Sequence, residues 1–391
     1  MFKFLIKILL LILSTYNLVK FFLSNLAEKK TVIFYYFPVN AYSKNIIEIN
    51  QKIRPNKNFK SYFVYNNKSA KQIKHIKNSF FLDFELLRFI PLKKIFLKKV
   101  DIFISSYVNY IFPPNSINIY ICHDIADAPM VNKNLEKKIF ISLNKYNYIF
   151  LSSDLVVKYY KKKFSEYIGK KINPTFVNTG YLKLDNVIRE LKKEKSSKKK
   201  ILIAPTSSFM MREFNLSNNL VEIINNLLKL KHPIIYRPHP IDLTNRGNKR
   251  LVRLIKDKFS KNNNFEIDLS TSYLNSYANA KLLLTDFSGT AYTFAYSTLK
   301  PVIFFSHNEK KLQNSKNSNL YYFKDRKHIG EICDDKSKLK LIINKMEQTK
   351  TFYSKKIYSI RKKRIKYLNK SLDSTSNEII GLRKKYFSLQ I

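Results

Sequence analysis

Short apolar runs alternating with longer mixed segments constrain this chain more than any other feature. A run of a few consecutive apolar residues, with no polar partner at every second position, is what a parallel strand buried on both faces requires. From Lys30 onward such runs fall at 32–37, 62–65, 100–105, 117–122, 148–152 and 175–178. The stretch 190–200 then carries no apolar residue after Leu191 and reads as an exposed linker. Beyond it a second series begins, with strands at 201–204, 234–236, 265–269, 281–284 and 302–305. Helices are expected between them at 217–230, 249–260, 273–280 and 291–297. The pattern predicts an α/β chain of βαβ units with parallel sheets.

The 391 residues suffice for two such sheets. The expected divisions are an N-terminal helix over 1–28, a Rossmann-like first domain over 29–190, a linker over 191–200, and a second Rossmann-like domain over 201–335. A helical, lysine-rich tail over 336–391 is expected to pack back on the first domain. Two open sheets of this kind bind ligands outside the carboxyl ends of their strands, so a cleft lined by both sets of strand ends is expected. Functional residues should therefore sit just after strands.

Charge narrows the partners. Lysine and arginine number 72 against 28 acidic residues, a formal charge of +44 that attracts polyanions. The cations are spread along the chain, with no zinc-finger spacing, RNP signature or basic zipper, so nucleic acid is not the expected partner. Anionic lipid or a phosphate-rich substrate remains. Only Cys122 and Cys333 occur, far apart, which fits a reducing compartment and offers no disulfide framework. No carboxylate cluster has metal-ligand spacing, and no bound metal or other cofactor is expected.

Residues 2–26 are strongly apolar, but their longest run without a charge, 8–19, falls short of the ~20 residues a spanning helix needs. At about 100° per residue, Lys3, Lys7, Ser14, Asn17, Lys20, Ser24 and Asn25 fall within one arc of roughly 140°. A lysine-bearing stripe opposite Leu, Ile and Phe suits a helix lying on an anionic leaflet, its lysines at the phosphates. A tilted spanning anchor, a signal peptide without an evident cleavage site, or a helix docked on the protein itself are the alternatives.

Three groups of residues carry chemistry. Arg237-Pro238-His239-Pro240 follows the strand at 234–236, and the two prolines hold the backbone extended so that Arg237 and His239 are presented rigidly. Both can bind phosphate oxygens; the plain alternative is a stiff turn. Thr285-Asp286-Phe287-Ser288-Gly289-Thr290 opens a helix after the strand at 281–284. With only six glycines in the chain, Gly289 between two hydroxyl residues points to a helix N-terminus that takes a pyrophosphate; a capping turn is the alternative. Cys122-His123-Asp124 ends the strand at 117–122, where His123 is placed to take a proton or else is structural. Asp124 or Asp127 would orient its ring, and Asp286 is a further candidate for orienting a site group.

Taken in order, Cys122-His123-Asp124, Gly180-Tyr181-Leu182-Lys183-Leu184-Asp185, Ala204-Pro205-Thr206, Arg237-Pro238-His239-Pro240, Thr285 to Thr290 and Lys300-Pro301-Val302-Ile303-Phe304-Phe305 resemble the CDP-glycerol glycerophosphotransferases of teichoic acid and capsule synthesis. The resemblance covers roughly residues 100–330. It implies a GT-B fold at the cytoplasmic face of the membrane. The implied reaction moves glycerophosphate from CDP-glycerol to a polymer or lipid-linked acceptor, with CMP released; the alternative is a GT-B glycosyltransferase using a nucleotide sugar, or another polyol-phosphate transferase. His123 then matches the family's base, while Arg237, His239, Ser288, Gly289 and Thr290 match its diphosphate site, His239 also being a catalytic candidate. This chain departs from the pattern at Asp124, where glycine is usual, and at Gly289, where a hydroxyl residue is usual.

Overall fold

The computed structural model describes residues 2–38, 43–66, 73–125, 133–195, 199–208, 214–244, 247–314 and 320–387. Asp127 and residues 196–198 of the expected linker lie outside them, as does the side chain of Lys3. The chain divides into two units. The first comprises Met1–His123, Asn132–Lys183 and Asn369–Ile391; the second comprises Leu184–Leu368 and takes in Asp124. The division falls inside the helix Leu182–Leu191.

Unit 1 is built on a seven-stranded parallel sheet in the order β3-β2-β1-β4-β5-β6-β7. Its strands are β1 Thr31–Phe37, β2 Phe59–Tyr65, β3 Ser79–Phe81, β4 Ile102–Ser105, β5 Ile117–Ile121, β6 Tyr148–Leu151 and β7 Thr175–Asn178. All seven residues of β1 are buried. Strand alternation divides them: Ile33, Tyr35 and Phe37 enter one core cluster, while Val32, Phe34 and Tyr36 enter another on the opposite face. Helix α2, Ser43–Ile53, and the C-terminal helix Ser371–Phe387 cover the first face through Ile46, Ile49, Ile379 and Leu382. That last helix is tied down by the Tyr148–Tyr386 hydroxyl pair at 2.8 Å and by Lys52–Asp373 at 2.8 Å.

The opposite face is covered by the N-terminal helix α1, Phe2–Leu23. Leu18 and Phe21 are buried in the cluster with Val32, Phe34 and Tyr36, each side chain contributing about 1.5–3 kcal/mol when fully buried. Part of the polar arc expected to meet lipid headgroups also docks on the protein, while Lys7 and Lys20 stay exposed. Ser14, fully buried, accepts from the Asp83 N–H at 3.2 Å, and the Asn17 amide donates to the Phe81 carbonyl at 2.9 Å. Asn25 is also buried and accepts from the Tyr62 hydroxyl at 3.0 Å. The reason is that the chain leaving β3 presents backbone groups which only polar side chains can satisfy. Phe4, Leu9, Ile12, Leu13, Tyr16 and Leu23 consequently lie exposed on α1.

Unit 2 has a six-stranded parallel sheet in the order β10-β9-β8-β11-β12-β13. Its strands are β8 Lys200–Ile203, β9 Ile234–Tyr236, β10 Phe265–Ile267, β11 Ala280–Thr285, β12 Val302–Phe305 and β13 Gly330–Cys333. Both sheets reverse their order between a central pair, β1/β4 in unit 1 and β8/β11 in unit 2. Ligands of such sheets bind beyond the carboxyl ends of that pair.

Sheet closure in unit 2 sets a steric test. A Cβ on Gly330 would lie 1.7 Å from the carbonyl oxygen of Val302 on the neighbouring strand, whereas one on Gly381, in the C-terminal helix, meets nothing within 4 Å. Gly330→Ala should therefore lose about 2–4 kcal/mol in denaturant unfolding, and Gly381→Ala should gain about 0.5–1 kcal/mol.

Candidate active site

The carboxyl ends of β8 and β11 are stitched together by side chains from the Thr285-Asp286 pair. The Thr285 hydroxyl donates to the Ala204 carbonyl at 2.6 Å. Asp286 is buried, and its two oxygens accept from the Thr206 N–H at 2.9 Å and the Leu216 N–H at 3.0 Å. Burial pushes its pKa up to about 6, against the pull of those backbone donors. Asp286 thus orients the loop leaving β8.

A second buried carboxylate, which the sequence reading did not single out, holds the same loop from the other side. Asp242 accepts from the Ser208 N–H at 3.1 Å, the Ser208 hydroxyl at 2.6 Å and the Asn248 N–H at 3.3 Å. It lies in the single 3₁₀ turn Pro240–Leu243, which begins at the proline following His239. Proline at the first position of that turn needs no N–H there, and His239 serves as its cap. A Cβ at Gly247 would strike Asp242 at 2.5 Å, so the glycine lets the chain close over the carboxylate.

Capping fixes the protonation pattern of His239. The Ile241 N–H donates to its Nδ1 at 3.2 Å, so the ring proton resides on Nε2. Burial lowers the His239 pKa and keeps the ring neutral, although the Asp242 charge opposes that shift. The result is a neutral N–H donor at the end of β9.

Arg237, two residues earlier, is committed differently from the free phosphate fork expected of it. Its Nη1 pairs with Asp268 at 2.5 Å, and its Nη2 donates to the Ser270 carbonyl at 2.9 Å. Asp268 also accepts from the Ser276 hydroxyl and from Ser270, contacts that hold its carboxyl below the ordinary aspartate range in spite of burial. The guanidinium therefore closes the loop after β10 onto the end of β9. Asp268 carried no signal in sequence beyond its place at a strand end.

The Ser288-Gly289-Thr290 turn opens the helix Thr290–Thr298 beside Asp286. Ser288 Oγ accepts from the Thr290 N–H at 3.3 Å, and the Ser288 carbonyl accepts from the buried Tyr322 hydroxyl at 3.1 Å. Gly289 has ordinary helical angles, φ −57° and ψ −18°, and a Cβ there would meet nothing within 4 Å. Backbone geometry does not demand glycine at this point, contrary to the reasoning from its scarcity. What the glycine leaves is open space at a helix N-terminus, the positive end of the peptide dipoles.

In unit 1 His123 follows β5. Its Nδ1 lies 3.0 Å from the Ser106 carbonyl, an acceptor only, so Nδ1 carries the proton and the lone pair resides on Nε2. The ring stacks on Tyr107 at 5.7 Å, and the His123 carbonyl accepts from the Tyr181 hydroxyl at 2.6 Å. Gly180, at φ +85°, adopts the left-handed turn that leads from β7 to Tyr181. The described partner at Nδ1 is thus the carbonyl of Ser106, which nothing in sequence marked; Asp127, the other residue expected to orient the ring, lies outside the described residues. Asp124 itself is half-buried.

Two outcomes follow for unit 2. Because the native state holds a proton on Asp286 that the unfolded chain releases above about pH 4, stability should fall as pH rises from about 4 to 6 through this residue. Urea unfolding of the parent and Asp286→Asn across that window should show the parent losing on the order of 2 kcal/mol relative to the variant. Gly289→Ser should raise the unfolding free energy by a few tenths to about 1 kcal/mol, since serine fits the cap and restricts the unfolded chain.

Comparison with known proteins follows this geometry. The wall teichoic acid polymerase TagF has a similar fold, with a TM-score of 0.61 at 17% identity, over 92% of this chain and 90% of that one. A TagF variant soaked with CDPG gives 0.60. Anabaena HepE in complex with UDP and glucose gives 0.53 at 13% identity, over 91% of this chain and 99% of that one. A search of curated proteins found no significant match. The sequence matches the CDP-glycerol:poly(glycerophosphate) glycerophosphotransferase model over residues 16–377, nearly the whole chain, and the protein belongs to that transferase family.

Proposed function

We propose that unit 2 holds the diphosphate of CDP-glycerol and that His123 accepts the proton of the attacking hydroxyl. The observation carrying this reading is that the two histidines are held in opposite tautomers. His239 offers Nε2–H, suited to a diphosphate oxygen, while His123 bears its lone pair on Nε2, suited to receiving a proton.

In the reaction the acceptor oxygen forms a bond to the β-phosphorus, which carries the glycerol. The bond from that phosphorus to the bridging oxygen breaks, and CMP leaves with that oxygen. The proton of the acceptor passes to His123. Charge on the diphosphate is met by His239, by the Ser288 and Thr290 hydroxyls and by the helix N-terminus at Gly289. Arg237 adds positive charge that Asp268 largely balances, and contributes mainly by fixing the loop after β10.

The acceptor in this reading is a hydroxyl of a growing or lipid-linked poly(glycerophosphate), of teichoic acid or capsule type. The site of work is the cytoplasmic face of the membrane. Support comes from α1, whose segment Phe4–Leu23 is long and apolar enough to cross a bilayer yet docks through Ser14, Asn17 and Leu18. A helix held this way lies on an anionic leaflet rather than through it.

CMP release from CDP-glycerol, compared with release from CDP-ribitol and UDP-sugars, tests the donor assignment: turnover should be highest with CDP-glycerol, and preference for a nucleotide sugar would refute it. His123→Ala should cut CMP release by about 10²–10⁴ with little change in donor affinity, because a base acts in the transition state. His239→Ala should weaken donor binding as well as turnover. Near-normal turnover of His123→Ala would remove His123 from the mechanism.

A further inference from the structure

The chain between β3 and β4 carries a second unpartnered apolar surface, alongside α1. Its 3₁₀ turn Leu86–Phe89 and short helix Lys93–Leu97 pack on α1 through Leu87, Ile90 and Leu97, which join Leu18 and Phe21 in one buried cluster. Phe22 of α1 meets Phe96 edge to face at 5.6 Å. With those residues turned inward, Phe89, Leu92 and Ile95 are left 58%, 54% and 52% exposed. Three large apolar side chains within seven positions thus leave more than half of their surface in water, at a cost in solvation free energy.

Within the segment the charges are of one sign, Glu85 and Asp83 lying just before it. From residue 86 to residue 99 the segment holds Arg88, Lys93, Lys94, Lys98 and Lys99 and no acidic residue. Arg88 lies over the Phe89 ring at 4.7 Å, and Lys93 donates to the carbonyls of Arg88 and Ile90, so the cations flank the apolar tips directly. Apolar side chains ringed by lysine and arginine match the layering of an anionic leaflet, acyl chains within and phosphates at the rim. A protein partner with an apolar face alone would match the tips but not the flanking cations.

We infer that residues 86–99 are a second membrane-binding element, in which Phe89, Leu92 and Ile95 enter the acyl boundary of an anionic bilayer while the flanking cations meet lipid phosphate. The inference rests on the membrane location proposed above and adds that α1 does not act alone. Because the element is folded against α1, the two present their apolar side chains as parts of one unit, and the ordering entropy of a free peptide does not have to be overcome on binding.

The test is flotation of the full-length protein with mixed phosphatidylglycerol–phosphatidylcholine vesicles and with pure phosphatidylcholine vesicles. The parent should float with the anionic vesicles and dissociate in high salt. Phe89→Ser/Leu92→Ser/Ile95→Ser should reduce partitioning roughly 10- to 100-fold in a protein that still unfolds cooperatively, since more than half of each side chain lies outside the core. Lys93→Gln/Lys94→Gln should weaken binding to anionic vesicles alone. If the serine variant floats like the parent, the element makes no membrane contact and the inference fails while the membrane location stands. If the parent floats with neither vesicle, the membrane location fails and takes the inference with it. A change in oligomeric state of the serine variant by light scattering, with flotation unaffected, would assign the surface to a second copy and overturn the inference.

Discussion

A carboxylate taken out of water persists only where N–H and O–H groups replace the water it has lost, and two such carboxylates organise the donor end of unit 2. Asp286 takes backbone N–H groups of Thr206 and Leu216, and Asp242 takes Ser208 and Asn248. The loop leaving β8 is therefore clamped from β11 on one side and from the turn after β9 on the other. The Ser288 turn and the His239 turn are fastened to one piece of backbone, which sets their spacing without any contact between their functional atoms. Replacing either carboxylate would leave two or more buried donors without an acceptor, a larger loss than a single hydrogen bond.

The same economy governs the histidines. Each ring meets a backbone group at Nδ1, a carbonyl for His123 and an N–H for His239. That difference in backbone group reverses the direction of the outer nitrogen, giving an acceptor in one unit and a donor in the other. A phosphoryl transfer with little covalent chemistry for the protein to perform needs those two capacities, proton acceptance and charge stabilisation.

Much of this was legible in the sequence because parallel strands buried on both faces leave uninterrupted apolar runs. Val302–Phe305 was located to the residue, and the residues singled out as chemical candidates do fall after β5, β9 and β11. β13 was missed because Gly330–Cys333 interposes Gly and Glu and so makes no apolar run, while β3, Ser79–Phe81, is a three-residue edge strand whose short Phe80-Phe81-Leu82 run was passed over. Asp242, Asp268 and Ser106 were missed for another reason. Their importance lies in partners distant in sequence, Ser208 for Asp242, Arg237 for Asp268 and His123 for Ser106, and no local pattern encodes that. The α1 helix shows a related limit. Part of its polar arc serves the protein itself, since Ser14 and Asn17 bond to the chain leaving β3 while Lys7 and Lys20 stay exposed, and periodicity is silent on which polar residues the protein requires.

The claim on which the account turns is the opposite tautomeric state of the two rings. Long-range proton–nitrogen correlation spectra of the full-length protein, labelled with nitrogen-15 in histidine and assigned with His123→Ala and His239→Ala, read it directly at neutral pH. The account predicts that His239 carries its proton on Nε2 with a bare Nδ1, and that neutral His123 carries its proton on Nδ1. Spectra placing the proton of both rings on the same nitrogen, or showing His239 doubly protonated at neutral pH, would contradict it.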